Sequence, residues 1–303
     1  MPVDALRTPD DRFHDLPDFP WAPEYVEDLP GYEGLRAACI DLGPAKAERV
    51  FLCLHGEPTW SYLYRRMIPV FLESGARVVA PDLFGFGRSD KPVRDEDYSF
   101  GFHRGFLVAL IERLDLRNIT LVVQDWGGLL GLTLPVDEGI KPRIARLLVM
   151  NTAIATGESP GPGFEAWRAY AASTPDLPIG ALIARGTPHL SPAEVAAYDA
   201  PFPDARYKAG ARAFPQLVMT RPDMEGVPES RAAAAFWSTE WDGPSFMAVG
   251  DADPVLGPDV MERLRRTIRG CPEPMVISGG GHFVKEWGEP IARAALRAWG
   301  DLK

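Results

Sequence analysis

Short apolar runs bounded by Gly, Pro and Asp recur along the chain: Val50 to Leu54, Arg77 to Ala80, Ile119 to Val123, Leu147 to Met150, Phe246 to Val249 and Met275 to Ile277. Runs of this length without polar alternation predict strands covered on both faces. Segments with helical spacing lie between several of them, as at Tyr62 to Leu72, Phe102 to Leu114 and Met261 to Ile268. This alternation predicts an α/β fold, a mostly parallel sheet flanked by helices. The rhythm breaks from about Thr156 to Pro228, where prolines and alanine-rich helical pieces replace the strands. Residues 156–228 therefore read as a helical cap inserted into a core made of residues 1–155 and 229–303.

Composition narrows the classes of function. A 303-residue chain that is 46% hydrophobic can bury a sizeable core. Lys+Arg 32 against Asp+Glu 42 leaves a net charge of -10 with no basic run, which argues against a nucleic-acid partner. No stretch of about eighteen apolar residues occurs, and the N-terminus lacks a basic stretch followed by an apolar core. No membrane association and no export are expected. Cys39, Cys53 and Cys271 lie far apart, two of them in predicted strands, and read as free buried thiols. They suit a reducing compartment, so a cytoplasmic protein is expected, and a monomer.

The chemistry concentrates at the strand ends, where ligands bind in such sheets. Leu121-Val122-Val123 is followed by Gln124-Asp125-Trp126-Gly127-Gly128 and then an apolar helix. This is the layout of a G-x-S-x-G nucleophile elbow, with Val123 in place of the first glycine and Asp125 in place of the serine. A serine oxygen that attacked an alkyl carbon would form an ether, which water does not readily cleave. An alkyl ester on Asp125 can instead be hydrolysed at its carbonyl. The expected electrophile is thus an sp3 carbon. Later strands end in Gly250-Asp251-Ala252-Asp253-Pro254 and Gly279-Gly280-Gly281-His282-Phe283, giving the order nucleophile, acid, histidine of the α/β-hydrolase triad. His282 is the candidate general base; His14, His103 and His189 have no comparable context. The orienting acid is Asp251 or Asp253, and the Gly-x-x-Asp spacing favours Asp253.

An ester's tetrahedral intermediate needs two oxyanion donors, and the candidates are the backbone N–H groups of Trp126 and Glu57. The Glu57 side chain has two readings, holding the hydrolytic water or fixing the turn after His55. Trp126 offers an N–H donor and no acceptor, which suits a departed halide in an apolar pocket. Trp167, Trp237 and Trp241 are the candidates for a second donor. No spaced His, Cys or Asp cluster suggests a metal, Gly85-Phe86-Gly87 is too incomplete for a dinucleotide, and no cofactor is expected.

Taken together, His55-Gly56-Glu57-Pro58-Thr59-Trp60, Asp82-Leu83-Phe84-Gly85-Phe86-Gly87-Arg88-Ser89-Asp90 and Val123-Gln124-Asp125-Trp126-Gly127-Gly128 resemble the haloalkane dehalogenases. The likeness is greatest to the branch that degrades 1,2-dichloroethane, and it runs from Arg7 to the C-terminal helix. It implies an α/β-hydrolase fold with Asp125 as nucleophile, His282 as base and Asp253 as acid. It also implies Trp126 with Trp167 as halide donors, the latter through Phe164-Glu165-Ala166-Trp167. By the same likeness Phe164, Phe214, Pro215, Val218 and Leu256 line the cavity, and the partners are a small haloalkane, water and the halide product. Leu129 stands where that branch has an aromatic residue, and the segment from Ile154 to Gly163 is shorter. A wider pocket, favouring longer or bulkier chains, is the expectation. The rivals are an epoxide hydrolase, which would need cap tyrosines such as Tyr170, Tyr198 or Tyr207 as acids, and a non-catalytic small-ligand receptor. A haloacid substrate would want paired arginines by the nucleophile, and none adjoins Asp125 in sequence.

Overall fold

The computed structural model describes residues 3–302. Among them the strands are β1 (Ala5–Leu6), β2 (Glu24–Val26), β3 (Ala37–Leu42), β4 (Val50–Leu54), β5 (Arg77–Pro81), β6 (Lys91–Pro92), β7 (Ile119–Gln124), β8 (Ile144–Met150), β9 (Ser245–Gly250) and β10 (Met275–Ile277). Eight of these form one sheet in the order β10-β9-β8-β7-β4-β5-β3-β2, while β1 pairs with β6. Only β3, against β5 and β2, runs antiparallel; the other neighbours are parallel. Every residue of β4 and of β7 is buried, as required of central strands with helices on both faces.

The helices are α1 (Ile68–Glu73), α2 (Phe100–Arg113), α3 (Trp126–Gly131), α4 (Pro162–Ser173), α5 (Ile179–Gly186), α6 (Pro192–Asp199), α7 (Ala209–Leu217), α8 (Val227–Thr239), α9 (Pro258–Thr267) and α10 (Gly288–Ala298). Four of them, α4 to α7, lie within residues 156–228, where no strand forms, and α8 begins one residue before that range ends. The predicted helix from Tyr62 to Leu72 divides into a 3-10 turn, Ser61–Tyr64, and α1. Pro69 explains the break: it has no N–H to give and fits the first turn of a helix, so the helix restarts beside it. Strand β8 begins three residues before the predicted Leu147, because half-exposed Ala145 and Arg146 interrupt the apolar run. Cys39, Cys53 and Cys271 are free and buried.

Register determines what gathers at one edge of this sheet. Leu54 pairs with Val123, Gln124 with Met150, and Gly250 with Ile277. His55, Asp125 and Asn151 therefore leave adjacent strands at one level, and the turns carrying Asp253 and His282 follow alongside. Above them, α6 is joined to the core through a buried ionic cluster. Arg65, fully buried after the 3-10 turn, donates to Glu286 (Nη1–Oε1 2.7 Å, Nη2–Oε2 2.7 Å) and to Glu194 of α6 (2.7 Å). Arg66 reaches the same two carboxylates, and Tyr198 of α6 donates to Glu286. Removing one partner strands a buried charge. Arg65→Met is expected to lower the unfolding free energy by about 3 kcal/mol, with Arg66 and Tyr198 still reaching Glu286; urea denaturation measures it, and an unchanged stability would contradict this role.

Candidate active site

Asp125 sits at the tip of the turn between β7 and α3 with φ 50° and ψ −126°, backbone angles that an L-residue adopts only when its surroundings hold it there. Its N–H donates to the Asn151 carbonyl (3.0 Å) and its own carbonyl accepts from Thr152 Oγ1 (2.8 Å). The close packing requires small neighbours. A Cβ on Gly56 would fall 2.3 Å from Asp125 Oδ2, and one on Gly127 would fall 2.1 Å from the Leu54 carbonyl oxygen. The result is a carboxylate presented at the sheet edge, with Oδ2 accepting the Glu57 backbone N–H at 2.8 Å.

His282 lies between two carboxylates. Its Nδ1 is 2.8 Å from Asp253 Oδ2, and its Nε2 is 3.4 Å from Asp125 Oδ1. Burial acts to lower the imidazole pKa, but Asp253 and Asp125 outweigh it and hold the value up at about 10. Asp253 is itself held well below the usual carboxylate range: burial opposes ionisation, and His282 with the Leu256 and Val255 N–H groups overcomes it. Asn151 donates to Asp253 Oδ2 (3.0 Å), the oxygen that also meets His282 Nδ1, while the Val255 and Leu256 N–H groups hold Oδ1. The alternative acid, Asp251, is exposed and accepts the Gly279 N–H at 2.7 Å, so it closes the turn after β10. Gln124 donates to the His282 carbonyl (3.0 Å) and steadies the histidine loop.

Above these groups is a cavity of ≈ 510 Å³. Asp125, His282, Asp253, Glu57 and Trp126 form part of its lining, with Trp167, Phe164, Leu129, Pro215, Val218 and Leu256 around them. Phe214 is a correction. It is fully buried behind Trp126 (ring centroids 4.7 Å, edge to face) and packs on Phe86 and His103, outside the cavity lining. Val218, past the end of α7 in extended backbone, and Pro215 reach the cavity, while Phe214 packs beneath them against the core. Burial beside Asp125 pushes the Glu57 carboxyl well above its ordinary pKa, and its Oε1 has no hydrogen-bond partner.

The tryptophans separate by what their N–H groups meet. Trp60, Trp237 and Trp241 donate to Ala197 O, Leu132 O and Ser245 Oγ. Among the described residues the indole N–H groups of Trp126 and Trp167 have no protein acceptor, and both side chains line the cavity. No tyrosine lines it; Tyr198 is buried against Glu286 and Tyr170 is exposed. No group of His, Cys, Asp and Glu able to hold a metal was found among the described residues, and no helix there is long and apolar enough to cross a membrane.

Residues 49–289 match the family model for the alpha/beta hydrolase fold. Haloalkane dehalogenase 1 of Mycobacterium tuberculosis is 47% identical over 290 residues, 94% of each chain. The haloalkane dehalogenase of Psychrobacter cryohalolentis is 43% identical over 299 residues, 96% of this chain and 97% of that one. This chain belongs to the haloalkane dehalogenases. The solved haloalkane dehalogenase DpaA of Paraglaciecola agarilytica, described as tetrameric, is 52% identical and superposes on this dehalogenase with a TM-score of 0.95, covering 98% of this chain and 99% of that one.

Several groups around the triad and the cavity were not singled out from sequence. Asn151 could have been, since it follows β8 at the same edge as Asp125. Leu182, Arg185 and Phe283 also line the cavity, and only the packing of α5 over the histidine loop brings the first two there. The double carboxylate around His282 generates a test. With the pKa raised above the ordinary imidazole value of ~6.5, the ion pairs stabilise the fold fully below that value and lose their contribution as pH rises through about 10. In Asp125→Asn one of the two charges is gone, so the His282 pKa, followed by NMR titration, is expected to fall from the wild-type value; an unchanged titration would contradict the coupling.

Proposed function

We propose that this dehalogenase hydrolyses haloalkanes to an alcohol and halide in two displacements centred on Asp125. In the first, an Asp125 oxygen attacks the halogen-bearing carbon in line, the C–O bond forms as the carbon–halogen bond breaks, and the halide leaves with the electron pair. Trp126 and Trp167 receive it. The observation that carries this reading is that two cavity-lining tryptophans have N–H groups without a protein acceptor, on the same wall as the Asp125 carboxylate. An epoxide would leave as an alkoxide and need an acid, and the absence of a lining tyrosine among the described residues counts against that rival. The spacing of Asp125, His282 and Asp253 counts against an idle receptor.

In the second displacement His282 takes a proton from water, the hydroxide adds to the ester carbonyl, and the acyl C–O bond breaks as the alkoxide takes that proton back and leaves as the alcohol. The resting histidine is held protonated by two carboxylates, and alkylation removes one of those charges. His282 then loses the Asp125 charge that helps hold its proton, releases that proton to solvent, and becomes a base only when there is an ester to hydrolyse. Glu57, whose carboxyl burial beside Asp125 pushes toward its neutral form, has an unpartnered Oε1 that would hold that water. Its backbone N–H, already on Asp125 Oδ2, would stabilise the oxyanion together with the Trp126 N–H.

Residues 156–228 act as the cap over this site, and residues 1–155 and 229–303 as the core that carries the triad. With aliphatic Leu129 on the cavity wall, longer haloalkanes fit better than two-carbon ones. The large exposed apolar side chains among the described residues, Tyr25 of β2, Tyr170 of α4 and Val276 of β10, stand singly on different elements and form no one patch, which supports a monomer. Three buried free thiols support a cytoplasmic location.

One variant tests these points together. Gln cannot deprotonate water, so His282→Gln treated with 1-bromohexane is expected to accumulate a hexyl adduct on Asp125 with stoichiometric bromide release, and to react more slowly with 1,2-dichloroethane. Mass spectrometry reads the adduct, and under native conditions it reads 33.3 kDa for a monomer or four times that for a tetramer. An unmodified protein would sink the mechanism.

A further inference from the structure

The cavity contains one cation that the two displacements do not use. Arg185, in the last turn of α5, is exposed and also lines the cavity, so it marks where the cavity meets solvent. It is not on a free loop: a Cβ on Gly281 would fall 2.4 Å from the carbonyl oxygen of neighbouring Gly186, which seats the end of α5 on the loop carrying His282.

Its lack of a partner distinguishes it. Six lysines and arginines lie between residues 156 and 228. Arg168 binds Gln216, Thr220 and Glu165; Arg206 pairs with Asp204, Lys208 with Asp176, Arg212 with Asp95, and Arg221 with Asp223. Arg185 alone of the six makes no hydrogen bond or ion pair among the described residues. The acidic groups of the cavity, Glu57, Asp125 and Asp253, gather around His282, and none of them pairs with Arg185. An unopposed guanidinium at the open end of an apolar cavity, with a nucleophile at the other end, defines two poles for one extended molecule.

We propose that Arg185 is a specificity-determining residue that binds a carboxylate at the far end of the substrate, so that ω-haloalkanoates are a substrate class of this enzyme. The proposal rests on the dehalogenase reading above and deepens it. The halogen end lies on Trp126 and Trp167, the methylene chain runs along Phe164, Leu182 and Val218, and the carboxylate meets the planar guanidinium fork, which matches it with two parallel hydrogen bonds. This differs from a haloacid whose carboxylate adjoins the halogen, since that geometry would require cations beside Asp125. The net charge of -10 disfavours anions at long range, so a local cation is what lets a carboxylate-bearing chain dock. The reaction balances as for any haloalkane: the Asp125 C–O bond replaces the carbon–halogen bond, water hydrolyses the ester, and the products are an ω-hydroxyalkanoate, halide and a proton.

The test compares 6-bromohexanoate with its methyl ester, which has a similar shape without the charge, in the wild-type enzyme, Arg185→Gln and Arg185→Glu. The ratio of kcat/KM for the acid to that for the ester is expected to fall about threefold to fivefold in Arg185→Gln, the size of a partly exposed ion pair. It should fall further in Arg185→Glu, with the change in KM. Sodium sulfate near 1 M ionic strength, where screening acts within ~3 Å, is expected to shrink the wild-type preference. A ratio that stays the same in both variants, including through an equal loss on both substrates, overturns the proposal. Failure of wild-type enzyme to release bromide from 1-bromohexane would instead overturn the dehalogenase reading, and this inference with it.

Discussion

The site depends on an imidazole held between two carboxylates. Asp253, 2.8 Å from Nδ1, is permanent; Asp125, 3.4 Å from Nε2, is the group that the proposed reaction consumes and regenerates. Much of the surrounding structure keeps those charges in place. The strained turn at Asp125, the glycines at 56 and 127 that permit its approach, and Asn151 and the Val255 and Leu256 N–H groups that fix Asp253 all serve one geometry. In the proposed reaction one of the two charges disappears on alkylation, so the base would be switched on by the intermediate it must resolve.

The parallel sheet makes this arrangement reachable from a linear sequence. Three functional turns follow β7, β9 and β10, and strand register brings their carboxyl ends to one level. This is why so much of the site was legible: buried parallel strands write themselves as apolar runs, and the residues just past each run are the ones that meet. Spacing favoured Asp253 over Asp251 as the orienting acid, and the hydrogen bonds give the two residues different partners: His282 for Asp253 and the Gly279 N–H for Asp251.

What was not legible depended on the cap. Helix phase relative to the cavity cannot be read when the surface it covers is unknown, so Phe214 was expected in the wall and instead supports Trp126 from behind. Arg185 gave no signal at all, because its importance lies in the contrast with five paired neighbours and in the seating of α5 on the histidine loop. Pro69 could have been read more closely, as a proline within a predicted helix marks a boundary. The tryptophans show the same division. Trp237 and Trp241 were open as halide donors until the acceptors of their N–H groups, Leu132 O and Ser245 Oγ, were located.

The central claim is that oxygen reaches the alcohol from Asp125 and not directly from water. A single turnover of 1-bromohexane by excess enzyme in 18O-labelled water measures this directly. The account predicts an unlabelled alcohol and a label appearing in the Asp125 carboxylate, located by mass spectrometry of the peptide that contains it. An alcohol that carries the label in its first turnover, with Asp125 unlabelled, would contradict it.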